Sequence, residues 1–319
     1  MIALAVVVPV AILVAAFVGS RDGSSSPSPP PTPRPAGSGF EREVEAAFDP
    51  LTGALPELAN AISEWGEGTL DDAGFTARLD AVEPVFDGTL ERVQALDRHP
   101  AEALAVPLLL DTAELYVLAI DVHRAAVAET DVALRASLDL LARRLRVLGD
   151  RSFDRSRDLT AGPLEVTPGI DLRRPVEIPE WRSLGLATGP PFTEVSPLSD
   201  ELPLLRLDER PSQSRDDFAE AVDALDVPTP AEIAAAMTGD PAAAGAIADR
   251  LTAAADALRD TAVPAGDRQL VDRLGLGWLV LADAARAAQV AALTASERLS
   301  TVADRLLDLG SRPELSSTS

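Results

Sequence analysis

The sequence predicts an all-α protein: two tandem copies of a helical bundle unit, related by a pseudo-twofold, preceded by one membrane helix and a Pro/Ser-rich tether. Three observations predict it. From Phe40 onward, apolar residues recur every three or four positions, which places them on one face of a helix. No stretch sustains the apolar–polar alternation of a half-buried strand. Residues 214–312 also repeat, in order, landmarks of residues 39–151.

Residues 1–20, MIALAVVVPVAILVAAFVGS, are apolar and carry no charged side chain. A run of that length just crosses a bilayer. A cleaved secretory signal would open with basic residues, which are missing here, so the run reads as a transmembrane or signal-anchor segment embedded through residues 2–18. Secretion after cleavage near Val18-Gly19-Ser20 is the alternative. Residues 21–38 follow as a disordered linker. Its GSSSPSPPPTPRPAGSG, residues 23–39, cannot bury a core, because proline favours extended backbone and Ser and Gly add flexibility. Such a tether places the domain outside the cytoplasm, on a single-pass anchor in the cell membrane.

Repeat A spans 39–151. Phe40, Val44, Ala47, Leu51, Leu55, Leu58, Ile62 and Trp65 form one apolar line, and Pro50 and Pro56 predict that its helices restart there. Phe75, Leu79, Val82, Phe86, Val93 and Leu96 form a second line, with Pro84 expected to kink it. Residues 101–128 are apolar around more of their circumference, which predicts a central helix. Residues 131–149 close the set, with Gly149 as the expected C-cap. An extended, proline-rich strap, 152–213, comes next, too apolar at Trp181 and Phe192 to float and expected to be pinned by those two rings.

Repeat B spans 214–312, with helices predicted near 215–226, 230–238, 241–262, 267–290 and 294–309. Thr229-Pro230-Ala231-Glu232 reads as a capping box with proline at the first helical position, Asp240-Pro241 as a cap followed by proline, and Thr294-Ala295-Ser296-Glu297 as a second capping box. Residues 313–319 read as a disordered tail.

Collinearity is the argument for duplication. LDLLARRLRVLGDR (138–151) and LSTVADRLLDLGSR (299–312) share seven positions, which composition alone can produce. But Asp121, Arg124, Ala125 and Ala126 also match Asp283, Arg286, Ala287 and Ala288. Arg78-Leu79 matches Arg250-Leu251, Pro56-Glu57 resembles Pro230-Ala231-Glu232 with one residue slipped, and Phe40, Val44, Ala46 and Pro50 match Phe218, Val222, Ala224 and Pro228. Two such copies would each bury a face the other lacks.

The chemistry available is narrow. There is no cysteine and no lysine, so disulfides, thiolate metal sites and lysine chemistry are excluded. All 28 basic residues are arginine, beside abundant Ala and Pro, which we read as the codon usage of a GC-rich bacterial genome. A formal charge of −23 repels nucleic acid and anionic headgroups. The histidines are His99 and His123; Asp121 and His123, two apart on a helix, point to different sides and make no dyad. No nucleophile elbow, HExxH or phosphate loop occurs, and Gly275-Leu276-Gly277 lacks the rest of a dinucleotide fingerprint. Asp111, Glu114, Leu118 and Asp121 share a helix face, but the Glu-x-x-His motifs of a di-metal bundle are missing.

These readings predict no catalytic, metal or cofactor site and no cofactor. Asp121, Arg124, Asp283 and Arg286 are the candidate polar contacts between repeats, with Asp121–Arg124 and Asp283–Arg286 pairs one turn apart as the plainer expectation. Tyr116, Trp181, Phe192 and Trp278 are the candidate pocket and strap residues. The predicted function is a membrane-tethered, extracytoplasmic interaction or scaffold module of a bacterial envelope, not an enzyme, whose partners are the membrane and other envelope proteins. The alternative is a small-molecule-binding domain with its site between the repeats and the strap as lid.

Overall fold

The computed structural model describes residues 39–96, 105–159, 213–238, 240–263 and 268–312. The expected membrane segment and linker, His99, Trp181, Phe192 and the 313–319 tail lie outside those residues. Every regular element among the described residues is a helix. The chain divides into two compact units, one holding the described helices between Gly39 and Leu159, the other those between Arg215 and Gly310.

In the first unit, α1 (Gly39–Phe48) leads into α2 (Leu51–Gly66) through Pro50. All eight residues of the first apolar line are buried, as are all six of the second line, which runs along α3 (Asp72–Gln94) and just beyond it. Fully burying side chains of this size contributes roughly 1.5–3 kcal/mol each. Helix α3 starts where Asp71 caps it, its carboxylate accepting from the Gly74 amide at 2.7 Å. Helix α4 (Ala105–Ala128) is buried over most of its circumference and packs on both α3 and α5 (Val132–Leu159), which makes it the centre of the unit as expected.

Two expectations in this unit need correction. Pro56 does not restart a helix, because α2 runs straight through it. Its missing amide would have bonded the carbonyl one turn back at Thr52, which is exposed and can turn to water instead. Gly149 does not cap α5, which continues ten residues further, to Leu159, and takes the first eight residues of the expected strap. Its role is steric: a Cβ there would stand 2.7 Å from a Tyr116 ring carbon and 3.3 Å from the Thr112 carbonyl oxygen. Glycine lets α5 come close to α4. Helix α3 is also continuous through Pro84.

An aromatic clamp fastens three helices of this unit. The Trp65 ring of α2 stacks on Phe75 of α3, 4.5 Å between centroids and 13° from parallel. Its indole N–H donates to Asp72 Oδ1 at 2.8 Å. Arg135 of α5 lies 4.6 Å over the same ring and donates through both terminal nitrogens to Asp72. That fork is the main cause holding the Asp72 carboxyl below its ordinary range.

The second unit contains α6 (Arg215–Asp223), α7 (Pro230–Met237), α8 (Pro241–Asp260), α9 (Arg268–Thr294) and α10 (Glu297–Gly310). The Thr229–Glu232 capping box forms in full, and Asp240 caps α8 ahead of Pro241. The second box does not form as expected. Thr294 is the last residue of α9, and Ser296 caps α10, accepting from the Leu299 amide at 3.4 Å. Between them Ala295 has φ +52°, the left-handed conformation that lets the Ser296 amide return to the Ala291 carbonyl at 3.2 Å. Among the described residues, Leu274–Thr294 is long and apolar enough to cross a membrane by composition, and 83% of its most apolar window is buried inside the protein.

Candidate functional site

The polar chemistry of the first unit converges on the α4–α5 contact. Residues 139, 143, 146 and 150 of α5, spaced four, three and four apart, share one face. They read Asp139, Arg143, Arg146, Asp150. Opposite, Tyr116 and His123 of α4 lie two turns apart on one face. At one end Tyr116 donates its hydroxyl to Asp150 at 2.5 Å. At the other, His123 Nδ1 stands 3.5 Å from Asp139 Oδ1, while Arg143 Nε donates to the second Asp139 oxygen at 2.8 Å.

His123 and Asp139 are both wholly buried, with 1% and 0% of their side chains exposed. Burial, then the positive charges of Arg143 and Arg146, holds the His123 pKa well below its ordinary value. Burial also pushes Arg146 down, against the pull of Asp150. Phe75 closes the histidine's remaining side with its ring edge-on, 5.6 Å between centroids. The row carries two carboxylates, two guanidiniums and a neutral imidazole. Such a seam can fasten two helices in one register; within it, no hydroxyl or thiol nucleophile faces the imidazole among the described contacts.

The residues singled out from sequence fall as follows. Tyr116 is buried in this seam and meets Phe86 edge-on at 6.0 Å; Trp278 is buried on α9. Asp121 is half-buried on α4. Arg124 reaches α3, where Asp80 at 2.7 Å and Glu83 at 2.6 Å hold it. Its partial burial lowers its pKa, but those two hydrogen-bonded carboxylates outweigh the effect and leave it raised. Asp283 and Arg286 pair at 3.1 Å, one turn apart, and are buried. Arg286 also donates to Thr252 of α8 at 3.2 Å and lies 3.9 Å from Asp249. These contacts all lie inside the unit that carries each residue.

Sequence reasoning missed Asp139, Arg143, Arg146 and Asp150. Their signal was present: charges at four-, three- and four-residue spacing inside LDLLARRLRVLGDR, embedded in apolar residues. Partners for His123 were sought along its own helix, whereas its partner stands on the next one.

The second unit offers a surface feature of a different kind. A groove of about 300 Å³ runs between the end of α7, the end of α9 and the start of α10. Met237 and Ala288, Ala291 and Ala292 give it an apolar floor, and Ser300, Glu297 and Asp304 give it a polar wall. Among the described residues no three His, Asp or Glu side chains converge to hold a metal ion. Compared with protein-family models, curated proteins and solved structures, the chain shows no significant match.

Proposed function

We propose that the chain is a single-pass, membrane-tethered module of a bacterial envelope that works by contact rather than catalysis, its two units being copies of one five-helix design. The observation that carries the reading is the order of parts: an uncharged apolar run through residues 2–18, a Pro/Ser-rich tether, then an acidic helical body. The α4–α5 seam adds support, since its charged groups face one another and bind helix to helix.

Duplication is supported by recurring contacts. Arg78 of the third helix pairs with Glu57 of the second, and the matching Arg250 pairs with Glu232 of the matching helix at 3.1 Å. Arg124 of the fourth helix meets Asp80 of the third, and the matching Arg286 meets Thr252 at the position corresponding to Asp80. Each unit runs through five described helices in the same order.

Membrane fractionation followed by protease treatment of intact cells tests the placement. The chain should resist carbonate extraction and be cut from outside after disruption of any outer permeability barrier. Cross-linking and mass spectrometry in native membranes should then recover a reproducible envelope protein partner. Release by carbonate, or cross-links to no protein but itself, would count against the reading.

A further inference from the structure

The first unit buries a histidine that the second lacks. Of the chain's two histidines, neither lies between residues 213 and 312, whereas His123 is buried at one end of the first unit's seam. The buried polar group on the second unit's fourth helix, Asp283–Arg286–Thr252, ties that helix to the third and contains no imidazole.

The surroundings of His123 disfavour a second proton, because burial and two nearby guanidiniums oppose it and one shared carboxylate answers it. From α5 it faces Asp139, Arg143 and Arg146; from α3 it faces the edge of Phe75. Asp139 Oδ1 stands 3.5 Å from the ring, and Arg143 binds the other oxygen of the same carboxylate at 2.8 Å, so a protonated ring would share one negative charge with that guanidinium. With Asp150 balancing Arg146, the row is neutral as it stands. An imidazolium would add a positive charge beside these guanidiniums, shut away from water, and leave the row with more cations than carboxylates.

We propose that His123 makes the α4–α5 hairpin an acid-sensitive latch, closed while the ring is neutral and loosened by its protonation, with the second unit indifferent to the same change. The sign follows from burial. The ring takes its proton more readily in the open form, so the stabilisation is complete above the ordinary histidine pKa of about 6.5 and is lost as pH falls below it. The second unit carries no histidine, and replacing His123 separates its contribution from that of His99.

Hydrogen exchange of the full chain between pH 7 and 5.5, read by mass spectrometry and corrected for intrinsic rates, follows the two units separately. Protection in α4 and α5 should fall by up to about tenfold per pH unit below about 6.5, since each opening takes up one proton, while α9 and α10 stay flat. His123→Leu should abolish the response; a response that persists in this variant overturns the proposal. If His123→Leu does not fold, the imidazole NMR titration of the unaltered chain decides. His123 must remain neutral in the folded state down to pH 5.5. A His123 signal that titrates near 6.5 in the folded chain, or an equal loss of protection in both units, overturns it.

Discussion

Arg286 and Asp283 pair at 3.1 Å with 5% and 0% of their side chains exposed, whereas Arg124, at the matching position, pairs with carboxylates that are 60% and 37% exposed. The same arginine therefore stands in two solvents. Arg124→Met should cost about 1 kcal/mol or less, because water screens Asp80 and Glu83 and rehydrates them. Arg286→Met should cost about 3 kcal/mol or more, because it removes a charged partner from a buried carboxylate. Urea unfolding of both variants checks the order; equal costs would contradict the difference in burial.

Ala295 bears a left-handed backbone, φ +52°, that an L side chain adopts at a cost of about 1–2 kcal/mol. Ala295→Gly should relieve most of it and, after the extra freedom glycine gives the unfolded chain, stabilise by about 0.5–1 kcal/mol. Ala295→Val should lower the melting temperature. A glycine variant less stable than the parent would show that the turn is not strained.

Two helix glycines should respond oppositely to alanine. At Gly149 a Cβ meets Tyr116 ring carbons at 2.7 and 2.9 Å, held by the hydrogen bond to Asp150, so Gly149→Ala should destabilise by about 1–3 kcal/mol. At Gly88 the nearest atom is the flexible Arg92 guanidinium at 3.5 Å, so Gly88→Ala should stabilise by about 0.5–1 kcal/mol through helix propensity. Calorimetry of both variants checks the pair of signs.

Glu232 accepts hydrogen bonds from the backbone and side chain of Thr229 and from Arg250, which together lower its pKa to about 2. A depressed carboxyl contributes its stabilisation above the unfolded value and loses it as pH falls toward 2. Carboxyl NMR should find Glu232 still ionised at pH 3.5. In Arg250→Met its titration should move up, and an unmoved midpoint would remove Arg250 as a cause.

Helices were legible in the sequence because their causes are local. The line from Phe40 to Trp65, the Thr229–Glu232 box and Asp240 each act within one or two turns, and each appears where expected. Reading failed where a remote atom decides. Gly149 looks like a helix stop until Tyr116 is seen beside it, and Pro56 looks like a break until the exposed Thr52 carbonyl is considered. Thr294 and Ser296 both resemble caps, and the left-handed Ala295 selects between them. The His123–Asp139 approach joins residues sixteen apart on different helices, which single-helix periodicity does not report.

Within each unit, packing runs mainly between helices that follow one another along the chain: α3 on α4, α4 on α5, α8 on α9, α9 on α10. Short loops therefore close before long ones, and little entropy is lost before contacts reward it. Such a topology assembles by successive hairpins on the microsecond-to-millisecond scale of helical bundles, and the first unit can acquire its shape while the second is still being synthesised.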